Sequence, residues 1–247
     1  MRHTRAKKYT FILIAALAFA ALPAWGSIIV SQQGATDPAL NGFFPEVVTS
    51  QGPVGTTAWN VQGSWNLGYD YQFLTAGQLT TLNAATNWAF TATLANLSLN
   101  TSPTFPGAPA SYGSYAVVGV NNIRFDLGMH SDGSGNQVLW LDPFSATSPN
   151  YTIVGLGTNY VTLEAIYNNS TKTADIFVNG TKVISGYAGN TTSFTCNCVA
   201  FGGENGNFSQ VELQSNPSSA VPEPGMLIMF GSGIIGLAGV LRRKINL

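Results

Sequence analysis

The chain has 247 residues, of which 45% are hydrophobic and 9% charged. Its ten Lys and Arg residues almost balance its eleven Asp and Glu residues, but seven of the basic residues lie in positions 2–8 and 242–244. Residues 27–220 contain the three remaining basic residues and all the acidic residues except Glu223, which makes ten. The net charge of this region is therefore about −7. A region so poor in cations is not suited to binding nucleic acid or anionic lipid, because both depend on Lys and Arg.

The N-terminus has the organisation of a secretory signal peptide. Four basic residues precede an apolar run over residues 9–22, which Pro23 ends. Ala24 and Gly26 place small residues three and one positions before a cleavage site, so we predict a signal peptide over residues 1–26 and Ser27 as the first mature residue. The alternative is an uncleaved signal anchor. Either interpretation exports the segment that follows.

Residues 27–215 are predicted to form one exported domain, because about 190 residues can bury a sizeable core. This segment is rich in Asn, Thr, Ser and Gly and poor in charge, a composition typical of all-β secreted modules. We therefore predict an all-β domain.

The first half of this domain contains strand signals and one helix signal. Thr75 and Gln78 fit a capping box, which predicts a short helix ending near Ala85. The alternation in residues 88–97 predicts a strand with one buried face. Before the helix we expect a strand over residues 27–32, a loop over 33–55 and two strands about Gly63 within 59–74.

The second half contains a predicted meander. Residues 160–167, 174–178 and 182–184 read as three strands, and Asn179-Gly180 supplies the two positive-φ residues of a type I′ turn between the last two. We also expect a loop over residues 101–113 and strands over residues 115–120, 122–128, 138–141, 199–203 and 209–213, with a hairpin turn over 130–136.

The order of strands and turns in residues 115–213 resembles the concanavalin A-like lectin and laminin G-like jelly rolls. The pattern includes the Ala-Asp-Ile-Phe-Val-Asn-Gly run of residues 174–180 and the Val-Ala-Phe-Gly run of residues 199–202. The resemblance implies a two-sheet antiparallel β-sandwich with a concave face that often binds glycans, sometimes with Ca²⁺.

Aromatic residues are the candidates for sugar recognition, because their rings offer broad apolar faces with a polar handle. The alternative for each of them is a place in the core. The candidates for stacking on a glycan are Trp59, Trp65, Tyr71 and Trp140, with Tyr69 nearby.

The spacing of the Asp and Glu residues in the exported region does not predict a catalytic pair of carboxylates. Hydrolases of the jelly-roll type place paired carboxylates on one strand, and retaining hydrolysis needs two carboxyls about 5–5.5 Å apart. No such spacing occurs here, and Glu164 and Asp175 are the pair that a hairpin might bring together. His130 is the sole histidine of the exported region, so neither a serine triad nor a histidine metal cluster can be assembled. We therefore predict a non-enzymatic protein.

No cofactor is predicted, although one loop offers oxygen ligands. Residues 132–136 read Asp-Gly-Ser-Gly-Asn, which suits Ca²⁺ but lacks the full EF-hand pattern. A hairpin turn is the favoured interpretation of this loop.

Cys196 and Cys198 form a C-x-C pair in an exported segment, where oxidation is available. On an extended strand their Cα atoms would be too far apart for a relaxed disulfide. An intramolecular bridge therefore requires a local turn, and free or intermolecularly paired thiols remain the alternative.

The C-terminal tail has three parts. After a linker beginning at residue 216, Val221-Pro222-Glu223-Pro224 precedes an uncharged apolar run over residues 225–241, and Arg242, Arg243 and Lys244 open the basic end, 242–247. Seventeen apolar residues are near the lower limit for a helix that crosses a bilayer, and the basic cluster marks the cytoplasmic side. We predict a transmembrane helix over residues 225–241.

This order resembles a PEP-CTERM sorting signal. The resemblance implies a Gram-negative bacterium, export across the inner membrane and processing by an exosortase-type protease. It also implies a destination at the cell surface or with exopolysaccharide. The alternatives are an ordinary single-pass anchor and, less in keeping with the basic end, a GPI signal.

The predicted partners are the secretion machinery, the exosortase-type protease, the inner membrane and a polysaccharide. The predicted function is an exported surface or matrix protein with a lectin-like module. The alternatives are a structural or adhesive protein without ligand and a glycan-degrading hydrolase.

Overall fold

Two antiparallel sheets face each other across one hydrophobic core in the computed structural model, which describes residues 26–63, 68–98, 113–142, 148–191 and 196–217. Gly26–Asn216 forms a compact unit that contains both sheets and the core. The predicted β-sandwich is therefore confirmed. The predicted signal helix and C-terminal helix lie outside the described residues.

Sheet A has eight strands in the order β13-β12-β11-β6-β15-β4-β3, with β1 pairing to β15. The meander predicted from Asn179-Gly180 forms one edge, and both turn residues have positive φ, at 48° and 76°. The strands of sheet A are β1 (Ser27–Gln33), β3 (Val48–Val54), β4 (Ala58–Gly63), β6 (Asn87–Asn96), β11 (Val161–Asn168), β12 (Thr173–Val178), β13 (Thr181–Tyr187) and β15 (Asn205–Ser215).

Sheet B has seven strands in the order β10-β9-β8-β7-β14-β5-β2. The predicted hairpin between β8 and β9 is present, since His130 pairs with Val138. The strands of sheet B are β2 (Phe44–Glu46), β5 (Tyr69–Phe73), β7 (Ser114–Val120), β8 (Ile123–Ser131), β9 (Gln137–Trp140), β10 (Asn150–Ile153) and β14 (Cys198–Gly203).

Aromatic side chains join the two sheets at the centre of the core. Trp88 on β6 stacks on Tyr167 of β11, with ring centroids 4.8 Å apart, and meets Phe125 of β8 edge-to-face at 5.7 Å. Phe125 also contacts Tyr187 of β13 at 5.9 Å. Because Phe125 comes from sheet B and the other three rings from sheet A, this cluster fixes the packing of one sheet on the other.

Helix α1 (Ala76–Ala84) links β5 to β6 and begins at the predicted capping box. The Thr75 hydroxyl accepts from the Gln78 backbone N–H at 3.3 Å, and Gln78 Oε1 accepts from the Thr75 N–H at 2.8 Å. Leu82 is fully buried and anchors the helix to the core. A cap of this kind is worth about 1 kcal/mol.

The prediction of a loop over residues 33–55 is wrong, because this segment contains a short 3-10 helix (Pro38–Asn41), β2 and β3. Pro53 is accommodated because β3 lies at the edge of sheet A, where a missing N–H breaks no ladder bond. Strand β10 was also not predicted, because its residues are exposed or half-buried and do not alternate between buried and exposed positions.

The two strands predicted about Gly63 exist but belong to different sheets. Gly63 ends β4 in sheet A, and Gly68 precedes β5 in sheet B. Their backbones pass so closely that a Cβ on either would overlap the other, which is a position that requires glycine. This crossing turns the aromatic residues of β5 towards the outer face of sheet B.

Candidate functional site

Four aromatic side chains form a continuous row on the outer face of sheet B, which we call the aromatic ladder: Phe44 of β2 and Tyr69, Tyr71 and Phe73 of β5. The β5 residues share a face because alternate residues of a strand point the same way, and the register places Phe44 directly opposite Tyr71. Tyr71 is the central ring, with centroids 5.8 Å from Tyr69, 5.2 Å from Phe73 and 6.2 Å from Phe44.

Two of the four rings of the aromatic ladder are open to solvent. Phe44 and Phe73 are 60% and 61% exposed, and Tyr69 and Tyr71 are half-buried. On the adjacent strand β14, the residues opposite Tyr71 and Tyr69 are Ala200 and Gly202. Because the side chains of these neighbours are small, the surface beside the two tyrosines is low on the β14 side.

A carboxylate lies at one end of the ladder. The Tyr69 hydroxyl donates to Glu46 Oε2 at 2.8 Å. Burial raises the pKa of Tyr69 to about 12, and the hydrogen bond and the charge of Glu46 add to this effect. The phenol is therefore neutral at any physiological pH. Its hydrogen bond holds the Glu46 carboxylate beside the apolar rings.

Exposed apolar rings next to hydrogen-bonding groups suit a ligand with both apolar and hydroxylated surface. The rings are tilted or edge-on to one another, at 50° to 81°, so they present a stepped surface instead of one flat platform. The geometry fits an extended ligand that contacts several rings in turn.

The other predicted stacking residues are placed differently. Trp59 is 7% exposed and belongs to the core, where its Nε1 donates to Gln51 Oε1 at 3.1 Å. It has no free face for a sugar, contrary to the prediction, because its position in β4 points inwards. Trp140 lies on the outer face of sheet B but is 8% exposed and packs on His130 at 5.5 Å. Trp65 lies outside the described residues.

A buried ion cluster occupies the same sheet, away from the ladder. Arg124 Nε lies 2.8 Å from Asp126 Oδ2, and Arg124 Nη2 lies 4.0 Å from Asp142 Oδ1. Burial raises the pKa of Asp126 to about 6, although the Arg124 guanidinium acts in the opposite direction. Both carboxylates thus share one guanidinium.

Glu164 and Asp175 lie on one face of their hairpin but not directly opposite each other. Asp175 pairs with Ile166, and Glu164 pairs with Phe177. Its carboxylate binds Lys182 Nζ at 3.0 Å and the Ser185 hydroxyl at 3.0 Å, whereas Glu164 accepts from Thr91 at 3.3 Å. Each carboxylate therefore has its own partners.

The described residues contain no group of three or more His, Cys, Asp or Glu side chains able to hold a metal.

The loop over residues 132–136 is a turn held by its own carboxylate. Asp132 Oδ1 accepts from the Ser134 N–H at 2.7 Å, and Asp132 Oδ2 accepts from Asn136 Nδ2 at 2.7 Å. These hydrogen bonds lower the pKa of Asp132. In strand β8, which precedes this loop, burial lowers the pKa of His130.

Cys196 and Cys198 form a disulfide, with Cα atoms 5.3 Å apart. The turn that this bridge requires is held at Asn197, whose backbone oxygen accepts from Leu74 N and whose Oδ1 accepts from Asn121 N, both at 2.8 Å. The Cys196 carbonyl lies against Gly119 of β7, where a Cβ would overlap it. The alternative of free thiols is thereby resolved in favour of the bridge.

Residues 220–244 match the PEP-CTERM protein-sorting motif. The chain carries a PEP-CTERM sorting tail. Such a tail implies export, a membrane-anchored intermediate and processing by exosortase. The match contains Pro222, Glu223, Pro224 and the basic residues from Arg242. The predicted membrane helix over 225–241 lies outside the described residues, within which we find no helix with the length and apolarity needed to cross a bilayer.

Solved structures with a similar fold share little sequence with this chain. A carbohydrate esterase from the Shiga toxin-encoding bacteriophage phi24B superposes with a TM-score of 0.55 at 8% identity, over 78% of this chain and 100% of the esterase chain. A receptor-binding domain gives 0.50 at 12% identity, and the binding domain of botulinum neurotoxin DC gives 0.48 at 12%. Both cover 83% of this chain and 51% of their own. No curated protein sequence matches the chain.

Proposed function

We propose that this protein is a non-enzymatic, cell-surface or exopolysaccharide-associated protein whose β-sandwich binds a glycan chain along the aromatic ladder. The observation that carries the proposal is the row Phe44, Tyr69, Tyr71 and Phe73 on one exposed face. The bacterium is Gram-negative, the tail is cut from the surface form, and the signal peptide is removed before Ser27.

The exposure of the ladder supports a binding role. Large apolar side chains that touch one another on a surface mark an interaction site more often than scattered ones do. The −7 charge of the exported region disfavours an anionic partner, and the neutral rings, polar tips and stepped surface favour an uncharged, hydroxylated polymer.

The placement of the carboxylates supports the non-enzymatic part of the proposal. Hydrolysis of a glycoside requires two carboxyls across the scissile bond, one of them free to donate a proton. Next to the ladder lies Glu46, which Tyr69 holds by its hydroxyl. Asp126 and Asp142, the carboxylates that come together on sheet B, share Arg124.

Replacing Tyr71 with Ala is expected to weaken glycan binding at least tenfold, because truncation of a central aromatic anchor typically costs 2 kcal/mol or more, and about 1.4 kcal/mol is tenfold. The measurement is retention of the Gly26–Asn216 domain on an affinity gel cast with the exopolysaccharide of the producing cells, preceded by a glycan array. Phe73→Ala should weaken binding too, and without loss of stability, since Phe73 is 61% exposed.

Tyr160→Ala is the matched control, since Tyr160 is 42% exposed and stands outside the ladder. Its binding should equal that of the unaltered domain. Unchanged binding in Tyr71→Ala and Phe73→Ala would refute the ladder as the site. If no glycan binds but the domain self-associates, and both variants abolish the association, the adhesive alternative holds instead.

Substituting Ala for Pro222, Glu223 and Pro224 together is expected to abolish processing of the tail. The reason is that the protease must recognise the motif before cutting near it. Mass spectrometry of the surface and membrane fractions should show the short surface form replaced by membrane-retained precursor. Ala at Ser218 and Ser219, in the linker, is the control. A surface form that retains residues 221–247 in the unaltered protein would contradict the proposal.

A further inference from the structure

Three Asn-Gly pairs occur in the chain, and the fold places them in three different environments: Asn41-Gly42, Asn179-Gly180 and Asn205-Gly206. The side chain of an asparagine followed by glycine is open to attack by the next backbone nitrogen, because glycine has no Cβ to hinder the approach. In a folded protein the attack also requires that this nitrogen and this side chain are free to meet. The three pairs differ in that respect.

The pair Asn179-Gly180 forms the exposed turn between β12 and β13. The ladder of the hairpin ends with Val178 paired to Thr181, so the Gly180 N–H does not hold the two strands together. A Cβ added to Gly180 would meet none of the described atoms beyond its chain neighbours within 4 Å. The turn therefore has room to change its backbone angles.

A backbone donor is already placed at the Asn179 side chain. The Thr162 N–H donates to Asn179 Oδ1 at 3.0 Å, and the Thr162 carbonyl accepts from the Asn179 N–H at 2.8 Å. Attack on Asn179 Cγ moves negative charge onto Oδ1, and the Thr162 N–H stabilises that charge as an oxyanion-hole donor does. This hydrogen bond therefore favours the reaction at Cγ.

The pair Asn41-Gly42 is held at both reacting groups. The Gly42 N–H donates to the Ala39 carbonyl at 3.2 Å, where the 3-10 helix ends. Asn41 Nδ2 donates to Oε1 of the buried Gln32 at 2.7 Å. Cyclisation at this pair must first break both hydrogen bonds.

The pair Asn205-Gly206 lies inside sheet A. Gly206 is buried and pairs with Val61 of β4 on one side and with Asn96 of β6 on the other. Asn205 Oδ1 accepts from Asn60 Nδ2 at 3.0 Å. The backbone at this pair cannot rotate without opening the ladder on both sides.

We propose that Asn179 is a site of spontaneous deamidation in the exported protein, with water as the co-reactant. The Gly180 nitrogen gives its proton to water and bonds to Asn179 Cγ, the Cγ–Nδ2 bond breaks, and Nδ2 takes a proton from water and leaves as ammonia. Water then opens the cyclic imide. Opening at Cγ gives aspartate, and opening at the main-chain carbonyl gives isoaspartate. The sum is the hydrolysis of one amide, without oxidation or reduction.

Both products add a negative charge to the tip of the β12–β13 hairpin. Aspartate keeps the turn, since Asp-Gly suits a type I′ turn as Asn-Gly does. Isoaspartate adds a methylene group to the main chain, so the two-residue turn no longer fits the register of Val178 with Thr181. The modification is independent of the proposed glycan site, because the hairpin belongs to sheet A and the aromatic ladder lies on sheet B.

The test is incubation of the folded exported domain at pH 8 and 37 °C, followed by pepsin digestion and mass spectrometry of the three Asn-Gly peptides. We expect Asn179 to convert at least about tenfold faster than Asn41 or Asn205, because tenfold corresponds to about 1.4 kcal/mol, which one or two hydrogen bonds are worth. In a parallel sample unfolded in urea, the three peptides should convert at similar rates. Enzymatic methylation specific for isoaspartate identifies the second product.

Gly180→Ala and Gly42→Ala form a matched pair of variants, since both replace a glycine with positive φ that follows an asparagine. Gly180→Ala should slow the conversion of Asn179, because its Cβ hinders the attacking nitrogen, and Gly42→Ala should leave that rate unchanged. Circular dichroism verifies that both variants fold. The proposal is overturned if Asn41 or Asn205 converts as fast as Asn179 in the folded domain, or if Asn179 stays intact there while it converts in urea.

Discussion

Trp88→Ala is expected to lower the free energy of unfolding of the exported domain by about 3–5 kcal/mol, the range for loss of a large buried aromatic side chain. Trp88 is 1% exposed and contacts Tyr167 and Phe125, so its removal opens a cavity where the two sheets meet. Loss of the aromatic pairs adds to the loss of burial. The measurement is urea unfolding followed by circular dichroism.

The matched control for Trp88→Ala is an aromatic truncation at the surface. Tyr160→Ala removes a ring that is 42% exposed, so it should change the free energy of unfolding by less than about 0.5 kcal/mol. A loss of under about 1 kcal/mol in Trp88→Ala would show that the aromatic cluster does not hold the sheets together.

Asp70→Asn is expected to stabilise the exported domain at neutral pH. Asp70 lies in β5 and is 1% exposed. The folded-state pKa of Asp70 is about 7, above its ordinary value of 3.8, so the folded protein binds a proton that the unfolded chain has already released. The contribution of Asp70 to stability is therefore lost as pH rises from about 4 to 7. The loss reaches at most about 4 kcal/mol, at 1.36 kcal/mol for each pKa unit.

The measurement is the difference in free energy of unfolding between Asp70→Asn and the unaltered domain, in EDTA, from pH 4 to 8. The difference should be near zero at pH 4, where Asp70 is protonated, and grow until about pH 7. Asp126, with a pKa of about 6, loses stability in an overlapping range, but it is present in both proteins and cancels. A difference independent of pH would contradict the raised pKa of Asp70.

The features that depend on residues close together in the chain could be predicted from the sequence. The capping box at Thr75 and Gln78 and the Asn179-Gly180 turn depend on contacts between residues at most four positions apart. The alternation around Trp88 depends on the strand period alone. The structure confirms each of these three features at the predicted position, because local backbone geometry determines them.

The partners of the aromatic ladder were not predictable from the sequence. Phe44 lies beside Tyr71 because β2 pairs with β5, although the sequence around Phe44 indicated a loop. Trp59 and Tyr71 come from one aromatic stretch, and only the crossing at Gly63 and Gly68 sends one into the core and the other to the surface.

The sorting tail could be identified from the sequence alone, since it is a linear order of Pro-Glu-Pro, apolar run and basic end. The fold class could be predicted too, because alternation and turn residues repeat along the whole exported region. Tertiary packing determines which aromatic residues form an exposed row and that the Asp70 carboxylate is buried. Those properties depend on contacts between strands that are distant in the chain, and no local pattern encodes them.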